Sequence, residues 1–241
     1  MNPVQVSSVS SIDAGNSVAP SLTGVAANGV CVLVVSWLDT NFGASETLST
    51  PSGWAAATNP ASASGTTPHD PCGAAIFYKT ITAGGSVSVS IPNQSGGTNH
   101  LYARASLLEY APGTTLDKTA TPLTNNAAQS TTSFSVGPTS ALSGTDEAII
   151  YAFSLIANVG LTSAGITNDS NYTQLYVSND TQNSLGAVAG YRSVSSSSAV
   201  SAAITKTSDS SDSSAQMVLA TFKAAGASTV ARPPFMALAP F

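Results

Sequence analysis

The chain has 241 residues, of which only 8% are charged, and a formal net charge of -5. Because ordinary soluble domains are about 25% charged, we expect a neutral polar surface, and the negative balance argues against a nucleic-acid partner. No run approaches the ~18 apolar residues that span a bilayer, and the first residues lack the basic and apolar regions of a signal peptide. We therefore expect a soluble protein with no membrane partner.

The first part of the chain predicts a polar arm followed by two strands. The arm extends to about Gly15, and a strand near residues 17–22 carries Pro20 at an edge or bulge. Residues 30–38, VCVLVVSWL, form a continuous apolar run rich in valine. Such a run is typical of a strand that is buried on both faces.

Residues 39–72 are rich in loop-forming residues, and the motif TPSGW at 50–54 predicts a turn that presents Trp54. Two interpretations of this ring are open, a cap on a core and a platform for a ligand. The cap is favoured because Tyr172 occupies the corresponding place in the second part of the chain.

The stretch 73–91 recurs without a gap as residues 186–204, with Lys79 aligned to Arg192. The identical pairs are Gly73 and Gly186, Ala74 and Ala187, Tyr78 and Tyr191, Val87 and Val200, Ser88 and Ser201, and Ile91 and Ile204. An apolar segment, a Gly-rich turn at 83–86 and then Val-Ser alternation predict a β-hairpin. The hairpin is expected twice.

The match continues backwards at an offset of 118, which predicts two copies of one domain. The aligned pairs are Val18 and Val136, Pro20 and Pro138, Asn28 and Asp146, Ser36 and Ser154, and Trp54 and Tyr172. We predict an all-β fold of two tandem antiparallel β-sandwiches, immunoglobulin-like or jelly-roll-like. The first domain with its arm covers 1–113, a linker 114–132 and the second domain 133–225.

Residues 226–241, GASTVARPPFMALAPF, match nothing in the first copy. Three prolines exclude a regular helix, and the apolar side chains need a surface to lie on. We predict an extended arm that docks on a neighbouring subunit, with folding back onto its own domain as the alternative. The residues expected at this interface are Val230, Arg232, Phe235, Met236, Leu238 and Phe241.

The sequence offers little catalytic chemistry, so no enzyme activity, cofactor or metal is expected. His69, Asp70 and Cys72 lie close together, but a stable zinc site needs a second, distant pair of ligands. Apart from His69, His100 is the one other histidine. Scattered carboxylates lie mostly in predicted turns, and the adjacent Asp146 and Glu147 face opposite sides of a strand. The turn carboxylates are Asp39, Asp169 and Asp180.

Two further residue pairs have a structural and a functional interpretation. Cys31 and Cys72 align with apolar residues in the second copy, which favours buried free thiols over a disulfide. Tyr78-Lys79 and Tyr191-Arg192 are candidates for lining a sugar groove. The favoured interpretation packs one side chain of each pair inward and leaves the other solvated.

The apolar strand VCVLVVSWL, the turn Ser52-Gly53-Trp54, the YK strand with its Gly-rich turn and the closing strand LLEYAPG at 107–113 together resemble β-sandwich structural proteins of tailed bacteriophages. The resemblance covers roughly residues 15–225. It implies a fold found in capsid decoration proteins, head fibres and tail components, and it brings no catalytic residue.

The sequence therefore predicts a non-enzymatic virion structural protein, foremost a capsid decoration or cement protein assembled in the host cytoplasm. The expected partners are the major capsid protein or other virion subunits, including further copies of this chain. The alternative is a tail or fibre adhesin, or a carbohydrate-binding module, that recognises a host surface glycan. The C-terminal arm favours the first function, because a glycan-binding module has no need of it.

Overall fold

The computed structural model describes residues 1–15, 17–39, 48–58, 72–92, 101–125, 133–157, 165–180, 185–206 and 212–226. Within these ranges the regular structure is entirely β-strand, and each pairing between strands is antiparallel. The predicted all-β class is confirmed.

The first half of the chain, residues 1–113, contributes ten described strands. They are β1 Gln5–Val6, β2 Ser10–Gly15, β3 Ser17–Val18, β4 Ser21–Val25, β5 Val30–Asp39, β6 Ala55–Ala56, β7 Cys72–Thr80, β8 Gly85–Ser88, β9 Ile91–Pro92 and β10 Leu101–Tyr110. The second half begins at residue 114. Its described strands are β11 Thr115–Thr119, β12 Leu123–Asn125, β13 Ser133–Val136, β14 Glu147–Ala157, β15 Ile166–Thr167, β16 Thr173–Asp180, β17 Leu185–Val194, β18 Ala202–Lys206 and β19 Asp212–Lys223.

Each half contains one large sheet of six described strands, and the two sheets have the same strand order. The first runs β1-β10-β5-β7-β6, with β2 also paired to β10. The second runs β11-β19-β14-β17-β16, with β12 also paired to β19. The two orders match strand for strand.

The central strand β5 is buried on both faces, as its sequence predicted. It pairs along its length with β10 on one side and β7 on the other, and its side chains from Val30 to Leu38 are all buried. Since neighbouring strand residues face opposite sides of a sheet, its odd and even positions belong to two different cores. The counterpart strand β14 is divided in the same way.

The even-numbered face of β5 contributes to a core that the two large sheets share. The residues of the first sheet in this core include Val30, Val32, Val34, Leu38, Cys72, Ala74, Ile76, Leu108 and Tyr110. Those of the second include Ala148, Ile150, Ala152, Ile156, Tyr176, Ala187, Ala189, Val218, Ala220 and Phe222. At one end the rings of Tyr110 and Phe222 lie nearly parallel, with centroids 6.3 Å apart.

Hydrogen bonds also cross this shared core. Ser36 Oγ lies 3.0 Å from the Tyr176 hydroxyl, and Ser154 Oγ donates to the carbonyl oxygen of Trp37 at 2.8 Å. The Ala74 amide donates to Gln216 Oε1 at 2.7 Å. Buried polar groups are costly unless they are paired, so these bonds fix the relative position of the two sheets.

The other face of each large sheet is covered by short strands from its own half. In the first half Val18, Leu22 and Ile91, from β3, β4 and β9, pack against odd-numbered residues of β5 such as Leu33 and Trp37. In the second half, residues of β13 and β18 cover the corresponding face of β14. Each half therefore has a core of its own in addition to the shared one.

The two predicted β-hairpins are wrong. β7 pairs with β5 and β6, whereas β8 pairs with β4, so the stretch 73–91 crosses from the large sheet to the strands that cover it. The stretch 186–204 does the same, because β17 pairs with β14 while β18 pairs with β13. The reason is burial. Residues 72–77 are buried throughout and suit the inside of a sheet, whereas the alternating Val-Ser strand has one covered face.

The segments predicted as an N-terminal arm and as a linker both contain paired strands. β1 and β2 add to the edge of the first large sheet through β10. β11 and β12, within the predicted linker, add to the second large sheet through β19. Pro20, predicted at an edge or bulge of one strand, lies between two short strands, β3 and β4.

Because the shared core joins the halves, we predict a single thermal unfolding transition for the whole chain. Calorimetric and van't Hoff enthalpies should agree, as they do for two-state unfolding. Phe222→Ala removes a ring from the shared core and should lower the stability by about 3 to 5 kcal/mol. Two separate thermal transitions, in the parent chain or in the Phe222→Ala variant, would show that the halves unfold independently.

Candidate functional site

The residue of the second half that aligns with Trp54 is Tyr172, and its side chain is enclosed. Tyr172 is buried, its ring lies edge-on to Tyr151 at 5.0 Å, and its hydroxyl donates to the Ser201 carbonyl at 2.9 Å. The Arg192 guanidinium lies over the ring, 4.7 Å from its centroid. Tyr172, the residue whose position favoured a core cap at Trp54, is therefore itself part of a core.

The corresponding place in the first half is more open. Trp54 is partly buried against the first half's own core, so it caps that core only in part. A cavity of about 260 Å³ lies beside its ring, and Lys79 and Ser86 are among the residues that line it. This cavity is a concave site beside two residues singled out from the sequence, Trp54 and Lys79.

The tyrosines of the two repeated pairs have the same role. Tyr78 and Tyr191 are partly buried against the shared core, and the Tyr78 ring lies edge-on to Phe222 at 5.8 Å. The expectation that the second member of each pair is simply solvated is wrong for Arg192, which covers Tyr172. Lys79 is partly buried beside Gly53 and Trp54.

A buried carboxylate holds the loop before the central strand in each half, and sequence comparison alone missed it. In the first half Glu109, on β10, accepts a hydrogen bond of 2.7 Å from the Ala26 amide. In the second half Glu147, on β14, accepts one of 2.8 Å from the Gly144 amide. At the repeat offset of 118, Ala26 and Gly144 are equivalent. The same amide is therefore bound by carboxylates from different strands.

The space around position 29 helps to explain why the carboxylate comes from a different strand in each half. Gly29 is the counterpart of Glu147 at this offset. A Cβ atom at Gly29 would lie 3.1 Å from Glu109 Oε1 and 3.0 Å from the Ala26 carbonyl oxygen. A side chain at position 29 would therefore crowd the site that holds the Glu109 carboxylate.

In the second half the buried carboxyl lies beside another one. Burial opposes ionisation of Asp117, but hydrogen bonds from the Ser143 amide, at 2.9 Å, and from Ser143 Oγ keep its pKa below the ordinary value. Lys223 Nζ lies 3.6 Å from Asp117 Oδ1. Burial, together with the Asp117 charge, raises the pKa of Glu147.

When the pair holds one proton, the opposite pKa shifts favour its position on Glu147 rather than on Asp117. Glu147 Oε2 has no hydrogen-bond partner among the described residues. Two carboxyls in different protonation states can act as acid and base. Here their side chains are 0% and 4% exposed, so a substrate does not reach them and their role is structural.

The two thiols are buried and free, as predicted. Cys31 faces the first half's own core and Cys72 the shared core, where Ser214 Oγ donates to Cys72 Sγ at 3.3 Å. Burial raises the pKa of each thiol to about 11, and for Cys31 the nearby Glu109 charge adds to the effect.

Several predicted residues lie outside the described ranges, namely His69, Asp70, His100, Val230, Arg232, Phe235, Met236, Leu238 and Phe241. Asp169 is described and has a turn role, because it accepts hydrogen bonds from the amides of Asn171 and Ala203 at 3.0 and 3.1 Å. In the described part of the chain no three metal-ligating side chains cluster. The same part holds no helix of the length and hydropathy that a membrane span requires.

In comparisons with known proteins, no family model, curated protein or solved structure matches the chain. Function is therefore inferred from the chain's own residues, burial and contacts.

We predict that Glu147→Gln makes the protein more stable than the parent at neutral pH. Since the folded pKa of Glu147 is raised, the folded chain keeps a proton that the unfolded chain releases above about pH 4.3. The free energy of unfolding therefore falls as pH rises through this window. An amide imitates the protonated acid and removes that fall. Denaturant unfolding at several pH values measures it, and a variant less stable than the parent at pH 7 would contradict the proton assignment.

The matched control is Glu109→Gln, which changes the equivalent carboxylate of the first half. Glu109 is 1% exposed and accepts hydrogen bonds from the Ala26 amide and from Gln5 Nε2. An amide nitrogen cannot accept the second of these bonds, so the variant should lose about 1 to 3 kcal/mol of stability. The two substitutions are therefore expected to have opposite signs at pH 7.

We predict that neither thiol reacts with a thiol reagent in the folded protein at pH 7.5. Both sulfurs are buried, and their raised pKa values leave very little thiolate. Both should react once denaturant unfolds the chain. Rapid labelling of either cysteine in the folded state, detected by intact mass, would show that its side chain is accessible.

Proposed function

We propose that the chain is a non-enzymatic structural protein of a tailed-bacteriophage virion, a capsid decoration or cement protein that binds the assembled particle. Each half is proposed to be a β-sandwich module, made of the large sheet and the short strands that cover it. The resemblance of the sequence to such proteins and the three separate cores support this proposal.

The observation that carries the proposal is an apolar strip on the first edge of the structure. Val4, Val6 and Val9 are 64%, 40% and 42% exposed, and they are the large apolar side chains that the described residues leave exposed. Val4 and Val6 lie beside and in β1, Val9 directly precedes β2, and both strands pair with β10 at the edge of the first large sheet. Isolated exposed valines are ordinary, but three within six residues on a sheet edge indicate a protein contact.

The edge has the geometry for a further chain. On its inner side the Val4 amide donates to the Glu109 carbonyl at 2.7 Å, and the Ser7 amide donates to the Leu107 carbonyl at 2.8 Å. The opposite side of β1 has no strand partner in the described structure. A segment of the major capsid protein or of another virion subunit can add there as a further strand.

The shared core supports a structural role in a second way. Two modules joined only by a flexible connection rotate freely, whereas these are held by packed rings and buried hydrogen bonds. A rigid block of this kind loses little internal freedom when it docks, which lowers the entropic cost of binding.

We predict that replacing Val4, Val6 and Val9 together by Thr weakens binding to preformed shells by at least about tenfold. Valine and threonine have similar shapes, so β1 should stay paired. Co-sedimentation with shells that lack this protein measures the binding. The control replaces Thr115 and Thr119, on the equivalent edge strand β11, by Ser and should bind as the parent does. Equal binding by the valine variant would refute the proposed contact.

The proposal also includes the predicted C-terminal arm, residues 226–241, as a segment that docks on a neighbouring subunit. Truncation after Ala225 should leave the melting of the remaining chain unchanged while shell binding or assembly is lost. A truncated chain that melts much lower but still assembles would show that the arm belongs to its own domain's core.

A second candidate function is recognition of a host surface glycan. It is favoured by one specific observation, the cavity beside Trp54 that Lys79 also lines.

A further inference from the structure

The cavity beside Trp54 combines a flat ring with polar groups. Its volume is about 260 Å³, and its lining includes Trp54, Lys79, Ile81, Thr82, Ser86 and Ser88. Ligand pockets for drug-sized molecules start at about 300 Å³, so this cavity accommodates one ring of a larger ligand. A half-buried indole beside three hydroxyl groups matches the mixed apolar and hydroxyl-rich surface of a sugar ring.

Lys79 gives the cavity a positive charge. Among the described residues no carboxylate forms an ion pair with it, and no Asp or Glu lines the cavity. In a chain whose net charge is -5, an unpaired ammonium group in a concave site favours an anionic ligand.

Gly53 makes room for this ammonium group. Its φ of 77° is unfavourable for other residues, and a Cβ atom there would lie 3.3 Å from Lys79 Nζ. At the repeat offset, the second half has Asn171 in this position. In that half Arg192 covers the buried Tyr172 ring instead. The second half has thus closed the place that the first half leaves open.

We propose that this cavity binds a single pyranose ring that bears a carboxylate, with the ring stacked on the Trp54 indole and the carboxylate on the Lys79 ammonium group. The proposal deepens the second candidate function and rests on it. Such a ring belongs to the uronic acid class of glycan units.

Two ligands that differ only in the carboxylate test the proposal. Methyl β-D-glucuronide and methyl β-D-glucoside are titrated against the full chain and followed by NMR. We expect saturable binding of the glucuronide, with the glucoside at least about fivefold weaker. Lys79→Gln should remove this preference, and Trp54→Phe should weaken binding of both sugars. The matched control Arg192→Gln, at the equivalent position of the second half, should change neither.

The outcomes separate the two levels of the proposal. If both sugars bind equally in a Trp54-dependent way, glycan recognition stands and the acidic class is wrong. If neither sugar gives a saturable shift, or if Lys79→Gln and Trp54→Phe both bind as the parent does, the site itself is refuted. Circular dichroism of each variant shows whether the fold is kept. Lys79→Gln leaves the core unchanged and so remains informative if Trp54→Phe is destabilised.

Discussion

The core between the two large sheets is the constraint on which the rest of the structure depends. It requires the central strands β5 and β14 to be apolar on both faces, because one face meets the other half and the second face meets the short strands of its own half. Near-continuous apolar strands are usual in parallel sheets covered on both sides. Here an antiparallel arrangement has the same requirement, since each large sheet lies between two layers.

This constraint also explains where the halves are allowed to differ. Positions on the shared core are occupied by similar side chains in both halves, such as Tyr110 and Phe222, whose rings stack on each other. The outer positions are free to diverge. The half-buried Trp54 beside an open cavity and the enclosed Tyr172 beneath Arg192 are the clearest case.

The sequence predicted the features that depend on local pattern. The double burial of β5 follows from nine apolar or small residues in a row, and the partial burial of Trp54 fits the cap that its alignment with Tyr172 favoured. The predicted hairpins failed because alternation and turn residues do not say which sheet a strand joins. Asp117 and Glu147 are 30 residues apart in the sequence. They come together because β11 and β14 both pair with β19, and no local sequence pattern predicts that pairing. The apolar strip at Val4, Val6 and Val9 was hidden because a short valine-containing segment has no signal for an unpaired edge.

The exchange of the buried carboxylate between strands limits how the two halves can have diverged. If both arose from one ancestral unit, the acidic residue moved from one strand to its neighbour. A unit with glutamate at both positions is crowded by the close approach at Gly29, and a route through a unit with neither avoids this crowding. That intermediate leaves a buried amide unsatisfied, at about 1 to 3 kcal/mol. A chain tolerates such a step only if its free energy of unfolding exceeds this loss. The packing of the second half against the first contributes to that free energy.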